Sequence, residues 1–315
     1  MAIKNISSLA MACLLPLLNL ACATTRDASA RNSRQVAPQP EHMLIFSAAD
    51  STTMTWQQLL DRARAADIIV VGEQHDDAAA HQLQAALVKA VAGQGPLAVC
   101  MEMFEQDEQP LVDAFLAGSL SQEALVDTTD SKDWGGQGQW SEFYQPIVDA
   151  ARESGAPVIA ANAPRRFVRL ARHDGFEKLA AFSNAYPGQF TVPGSIEQQA
   201  YAERFKATMR HHGAPEDKSG DAPPPMPEET LEALFRAQQV WDATMAEATV
   251  RAQAAHGKAL LLVGQFHTDF DGGLLRRMKA AAPGLNFLTI SVQADSAAAL
   301  REEDRDRADV VIYRP

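Results

Sequence analysis

Two short segments constrain the fold of this 315-residue chain more than any other part of it. Residues 70–75 read Val-Val-Gly-Glu-Gln-His, and residues 262–267 read Leu-Val-Gly-Gln-Phe-His. Each has the composition of a buried strand that ends at a glycine and is followed by a histidine. In open α/β sheets, reactive groups collect beyond the carboxyl ends of the strands. The two segments therefore predict a site at one sheet edge, built from distant parts of the chain.

Strand and helix patterns alternate along most of the chain. Short apolar runs have the composition of fully buried strands, and stretches with helical spacing lie between most of them. This alternation predicts an α/β fold with a mainly parallel central sheet and helices on both faces. It breaks at about residues 183–256, where helical segments flank a proline-rich loop, and we expect a helical capping insertion there. The expected strands are residues 68–71, 97–103, 157–161, 259–263, 287–292 and 310–313, and the expected helices are residues 56–65, 78–92, 109–117, 142–154, 195–212, 271–281 and one from about 228.

The first residues have the features of an export signal. Residues 1–21 carry one positive charge, Lys4, followed by a mostly apolar stretch that is short for a membrane span. Residues 19–22 resemble a bacterial lipobox, with Cys22 as the lipidated residue. We expect an outer-membrane lipoprotein that faces the periplasm or the cell surface, with a soluble periplasmic protein as the alternative.

The rest of the chain is expected to form one domain behind a tether. Residues 22–45 are polar and rich in alanine and serine, as in a flexible linker, and residues 46–315 suit a single α/β domain. Outside the signal region Cys100 is the one cysteine, so no disulfide is expected within the mature chain. A net charge of −12 argues against nucleic acid and against polybasic binding to anionic lipid. Membrane contact is therefore expected only through the lipid anchor.

Ionisable side chains stand at the ends of several expected strands. Glu73 and His75 are two residues apart in an extended segment, so both can face one crevice. Glu102 interrupts an apolar run, where an unpaired charge would be costly, and His267 follows a later strand. Imidazole and carboxylate groups together suit a divalent metal such as zinc or manganese. Alternatively, Glu102 pairs with Arg165 as a structural bridge, and the histidines cap helices or lie hydrogen-bonded in the core.

Two further side chains are expected at the same edge. Asn162 ends another strand, and Arg165 occupies the first turn of a helix begun by a proline. We expect Arg165, with Asn162 beside it, to be the charge partner of a carboxylate or an anionic ligand. His42 in the tether and His81 on a helix face are expected to be exposed to solvent.

An ordered set of motifs resembles one known family. In their order along residues 55–277, the motifs resemble the ChaN family of haem-binding bacterial lipoproteins, which shares a superfamily with Tiki and erythromycin-esterase-like proteins. The motifs are Gly72-Glu73-Gln74-His75, Met101-Glu102-Met103-Phe104, Trp140 with Tyr144 and Pro146, Asn162-Ala163-Pro164-Arg165, Val240-Trp241-Asp242-Ala243-Thr244-Met245-Ala246 and Gly264-Gln265-Phe266-His267.

The resemblance implies haem binding in uptake or storage, with haem held by the cap and shared between two subunits of a homodimer. It also implies an outer-membrane haem receptor as a partner. The Tiki branch suggests an alternative, a metal-dependent hydrolase, because Glu73, His75, Glu102 and His267 match its Gly-x-x-His and glutamate pattern. Whether the chain is an enzyme stays open, and haem binding is the closer match.

Haem also needs an axial ligand and an apolar surface, and iron accepts histidine, tyrosine, methionine or cysteine. Tyr201, Phe205, Thr208 and His212 fall on one stripe of the expected helix at 195–212. Such a stripe could face a porphyrin, or it could simply pack against the sheet. The candidate haem ligands are Tyr201 and His212, with His211, Met209 and Tyr144 as further candidates.

Overall fold

The computed structural model of the protein describes residues 42–196, 198–210 and 225–314. Within these ranges the chain forms one eight-stranded sheet that confirms the expected fold class. Its strands are β1 (Leu44–Ser47), β2 (Thr53–Met54), β3 (Ile68–Glu73), β4 (Ala98–Glu105), β5 (Val158–Asn162), β6 (Ala259–Gly264), β7 (Phe287–Ser296) and β8 (Val310–Arg314).

The sheet is parallel except at one edge. Its strand order is β2-β1-β8-β7-β3-β6-β4-β5. The strands from β8 to β5 pair in parallel, whereas β1 is antiparallel to both β8 and β2. The six strands expected from the apolar runs are all present. The additional pair was missed because β1 and β2 are short, and β1 begins at Leu44, inside the residues assigned to the tether.

Helices cover both faces of the sheet because the strand residues alternate. Ile69 and Val71 face one apolar cluster with α1, α2 and α6, whereas Ile68 and Val70 face another with α9 and α10. The helices are α1 (Trp56–Ala65), α2 (Ala78–Ala92), α3 (Gln109–Leu116), α4 (Gln122–Thr128), α5 (Trp140–Phe143), α6 (Gln145–Glu153), α7 (Arg165–Ala180), α8 (Gln199–Arg210), α9 (Glu228–His256) and α10 (Gly273–Ala281).

The expected capping insertion contains α8 and α9, but α9 belongs to two regions. Its first turns pack on α8 through Phe235, which contacts Tyr201 and Phe205. Its later residues, such as Met245 and Ala252, pack on the sheet beside α10. The C-terminal half of α9 is therefore an ordinary crossover helix between β5 and β6. His211 and His212 lie outside the described residues.

Close approach of the β3 and β6 ends predicts the effect of one substitution. A Cβ on Gly72 would lie 2.8 Å from Thr268 Oγ1 and 3.0 Å from Gln265 Cα. Gly72→Ala should lower the free energy of unfolding by about 1–3 kcal/mol, because backbone must move to admit it. Urea unfolding measures this change, and Gly284→Ala, with no atom near its Cβ, is the control. Equal stability of the two variants would contradict the expectation.

Candidate functional site

The two histidine segments end at the same edge of the sheet, as the sequence predicts. β3 and β6 are neighbours, and Glu73 is paired in register with Gly264. β4 lies on the other side of β6 and brings Glu102 to the same place. We call the group of side chains at this edge the strand-end cluster. Its members are Glu73, His75, His81, Glu102, Tyr144, Asp242 and His267.

Glu73 is the centre of one half of the strand-end cluster. His75 Nδ1 donates to Glu73 Oε1 at 2.8 Å, and the Tyr144 hydroxyl donates to the same oxygen at 3.1 Å. His81 Nε2 lies 3.2 Å from Glu73 Oε2 and 3.1 Å from the His75 carbonyl oxygen. The expectation that His81 is exposed is wrong: the first turn of α2 points it inward, where it stacks on Phe143.

His267 is the centre of the other half. Its Nδ1 donates to Asp242 Oδ1 at 2.6 Å, and its Nε2 lies 3.5 Å from Glu102 Oε1. Glu102 Oε2 accepts a hydrogen bond of 2.6 Å from the backbone nitrogen of Gly264. Asp242 comes from α9, and sequence reasoning gave it no separate role. The available signal was a lone carboxylate inside an otherwise mostly apolar helical stretch, residues 240–246.

The two halves meet at Gly264. The position that a Cβ would take on this residue lies 3.1 Å from His75 Nε2 and 3.5 Å from Glu102 Oε2. A side chain at this position would press on the His75 imidazole. Glycine is therefore favoured here because there is little room for a Cβ, and not because the backbone adopts a positive φ. The four residues of the sequence-based site therefore converge in one crevice.

Charges in the strand-end cluster stabilise one another. Burial opposes a charge on His75, but Glu73 and then Glu102 outweigh it and raise the pKa of His75 to about 9. Burial likewise opposes a charge on His267, and Glu102 with Asp242 raises its pKa to about 10. Against its own burial, Glu102 has a pKa lowered to about 2 by His267 and His75. The raised pKa values of His75 and His267 and the lowered pKa of Glu102 thus favour the charged forms of these three groups together at neutral pH.

A metal ion would have to compete with protons in the strand-end cluster. The neighbouring carboxylates raise the pKa values of His75 and His267, and an imidazole binds a metal only in its neutral form. Among the described residues, no three histidine, cysteine or acidic side chains are arranged to hold a metal ion. The zinc or manganese alternative, and the hydrolase built on it, are not supported.

Arg165 lies at the mouth of the crevice. Its partner is Glu105, with Nε 3.6 Å from Oε1, rather than Glu102. The Arg165 guanidinium lies 6.0 Å from the Trp134 ring, which stands edge-on to His75 at 5.1 Å. The Asn162 side chain is buried, and its Oδ1 accepts a hydrogen bond from the backbone nitrogen of Ala163.

The candidate haem ligands on α8 face the interior. Tyr201 is 2% exposed, and its hydroxyl accepts a hydrogen bond of 2.9 Å from Gln238. Burial and then Asp242 raise the pKa of Tyr201 well above its ordinary value. Met209 is half-buried against the same aromatic side chains. The helical stripe is therefore a packing face, and the expectation that it presents Tyr201 to a porphyrin does not agree with the structure.

Tyr144 is also buried, and Tyr186 is the exposed tyrosine. All four tyrosines of the sequence are described, and Tyr186 alone is exposed, at 38%. It lies beside Phe167 and Phe182, with ring centroids at 5.0 and 6.4 Å. Its exposure was not evident from the sequence, because the connection between α7 and α8 has no regular hydrophobic period.

The fold and the strand-end cluster define an α/β protein of the Tiki type. Residues 59–278 match the profile of the family described as haem-binding uptake, Tiki superfamily, ChaN. The match covers most of the chain, so the chain belongs to this family.

Two solved structures are similar to this chain at low sequence identity. ChaN of Campylobacter jejuni, solved with cofacial haem, is 19% identical with a TM-score of 0.61, over 87% of this chain and 97% of that one. The type III effector HopBA1 is 12% identical with a TM-score of 0.49, over 81% and 91%. At 19% identity, the likeness to ChaN of Campylobacter jejuni shows the fold alone. No curated protein matches the chain. No described helix is long and apolar enough to cross a membrane.

Protonated histidines in the crevice predict a dependence of stability on pH. Because the folded-state pKa values of His75 and His267 lie above the unfolded value of about 6.5, their contribution is complete below that pH and is lost as pH rises through 9 to 10. The free energy of unfolding should therefore fall over this interval, as measured by urea unfolding at pH 6, 8 and 10.

Glu102→Gln should flatten that decline, because it removes a charge that raises both histidine pKa values. Glu247→Gln, at an exposed position, is the matched control and should retain the wild-type slope. The same slope in both variants would show that Glu102 does not hold the histidines in their charged form.

Proposed function

We propose that this protein binds haem and takes part in haem or iron uptake or storage. The observation that carries the proposal is the match of residues 59–278 to a family described by haem-binding uptake. The shared fold with ChaN of Campylobacter jejuni, whose structure holds cofacial haem, agrees with it.

Tyr186 is the residue that we propose as the axial ligand. A tyrosine oxygen can bind haem iron, and it must be reachable to do so. Tyr144 and Tyr201 are buried, and their hydroxyls are engaged with Glu73 and Gln238. Tyr313 is buried and donates to Asp304. Tyr186 is exposed and lies beside two further aromatic rings, the buried Phe167 and the half-buried Phe182.

Charge near Tyr186 also suits haem, which carries two propionates. The Arg166 guanidinium lies 5.8 Å from the Tyr186 ring, but it already pairs with Asp107 and donates to Gln189. Arg169, one turn further along α7, is exposed. Arginine pairs with carboxylate through two parallel hydrogen bonds, so we propose Arg169 as the partner of a propionate. An open surface covers only one side of a porphyrin, so we also propose a homodimer that shares haem.

Replacement of the proposed ligand gives a direct test. Haemin titrated into Tyr186→Phe should give a Soret band that is shifted and a dissociation constant at least about tenfold higher, because the oxygen ligand is lost. Tyr201→Phe is the matched control: it removes a hydroxyl that is buried, and it should bind haemin as wild type does. Loss of the Soret band in Tyr201→Phe alone would contradict the proposal and would indicate that the axial ligand is Tyr201 on α8.

We further propose that Cys22 anchors the protein to the outer membrane, where a haem receptor could be its partner. The support is the sequence of residues 1–22, which lie outside the described residues. Cys22→Ala should leave an exported protein in the soluble fraction, while wild type sediments with membrane, because the thiol that accepts lipid is removed. Fractionation followed by immunoblotting measures this, and Cys100→Ala is the control. Identical membrane association of Cys22→Ala and wild type would refute the anchor.

A further inference from the structure

A groove of about 490 Å³ lies between α9, α10 and the connection at residues 191–196. This volume is within the range of about 300–1,000 Å³ that is usual for small-molecule sites. Its walls are mostly small and apolar, because α9 and α10 present short side chains where they face each other. These include Ala243, Ala246, Val250, Ala280 and Ala281.

Arg277 is the exception among these small side chains. It lines the groove with 8% of its surface exposed, and its Nη1 donates to the carbonyl oxygen of Gly194 at 3.0 Å. Its Nε and Nη2 have no hydrogen-bond partner among the described residues. Asp242 acts on Arg277 through its charge but makes no hydrogen bond to it: Asp242 Oδ1 is engaged with His267, and Oδ2 has no hydrogen-bond partner among the described residues. A buried guanidinium with open donors is costly, and an anion would offset that cost.

The groove contains a second cation. Arg251 lines it too; its side chain is 53% exposed, and its Nη1 lies 3.6 Å from Glu247 Oε1, a distance typical of a weak surface pair. Among the residues that line the groove, two arginines therefore stand against one glutamate. The groove therefore combines apolar walls with positive charge, although the chain as a whole is acidic.

We propose that this groove binds an apolar molecule that carries a carboxylate. The apolar body would contact the small side chains of α9 and α10, and the carboxylate would accept hydrogen bonds from Arg277. Long-chain fatty acids and porphyrins share this chemistry. The proposal does not rest on the haem site, because Tyr186 is not among the residues that line the groove.

Calorimetric titration with three metal-free probes distinguishes the ligand sources. Oleate should bind the wild-type protein at least about tenfold more tightly than oleyl alcohol, which has the same chain without the carboxylate. Protoporphyrin IX tests the porphyrin alternative. Binding of one acid alone identifies the source, and failure of both acids to bind would overturn the proposal. No iron is present, so this failure would not bear on the haemin assay of Tyr186.

Variants locate the binding in the groove. Ala254 is exposed and lines the groove, whereas Ala255 is exposed and does not. Ala254→Trp should fill the groove and weaken binding of the carboxylate probe at least about tenfold, and Ala255→Trp should bind like wild type. Arg277→Gln should show a similar loss, with circular dichroism to check its fold, and Arg251→Gln should show a smaller one. Equal binding by the two tryptophan variants would overturn the proposal.

Discussion

Three buried carboxylates at the carboxyl edge of the sheet must each be paired, and much of the surrounding structure follows from that constraint. Glu73, Glu102 and Asp242 come from β3, β4 and α9, and each meets an imidazole or a backbone N–H. Removing one partner from such a buried pair typically costs about 3–5 kcal/mol. The strands must therefore approach closely enough to keep every pair intact, and Gly72 and Gly264 provide that space.

The sheet and the residues at its carboxyl edge could be predicted from sequence because both depend on short-range patterns. Buried parallel strands are continuous apolar runs, and the strand ends place polar residues at a known edge. Glu73, His75, Glu102 and His267 followed from that rule and converge as expected. The two antiparallel strands were not predicted, because a strand of two residues such as β2 is too short to show a hydrophobic period.

Other parts depend on the direction in which a helix face points, which its periodicity does not give. The stripe of Tyr201 and Phe205 was recognised, but the same spacing serves a ligand surface and a packing surface equally well. His81 shows the reverse error, since a polar side chain on a helix was expected outside and lies against Glu73. Tyr186 lies in an irregular connection, so its exposure follows only from tertiary packing.

The strand order has a consequence for how the chain folds. β3 and β4 are close in sequence, yet β6 lies between them in the sheet and pairs with both. Paired residues of β3 and β6 are about 190 residues apart in the sequence. The entropic cost of closing this long loop must therefore be met before the pairing contributes any stability. Until β6 inserts, the sheet is two separate pieces and Glu102 lacks both Gly264 and His267. The crevice can therefore be complete only once the C-terminal part of the chain has joined the sheet.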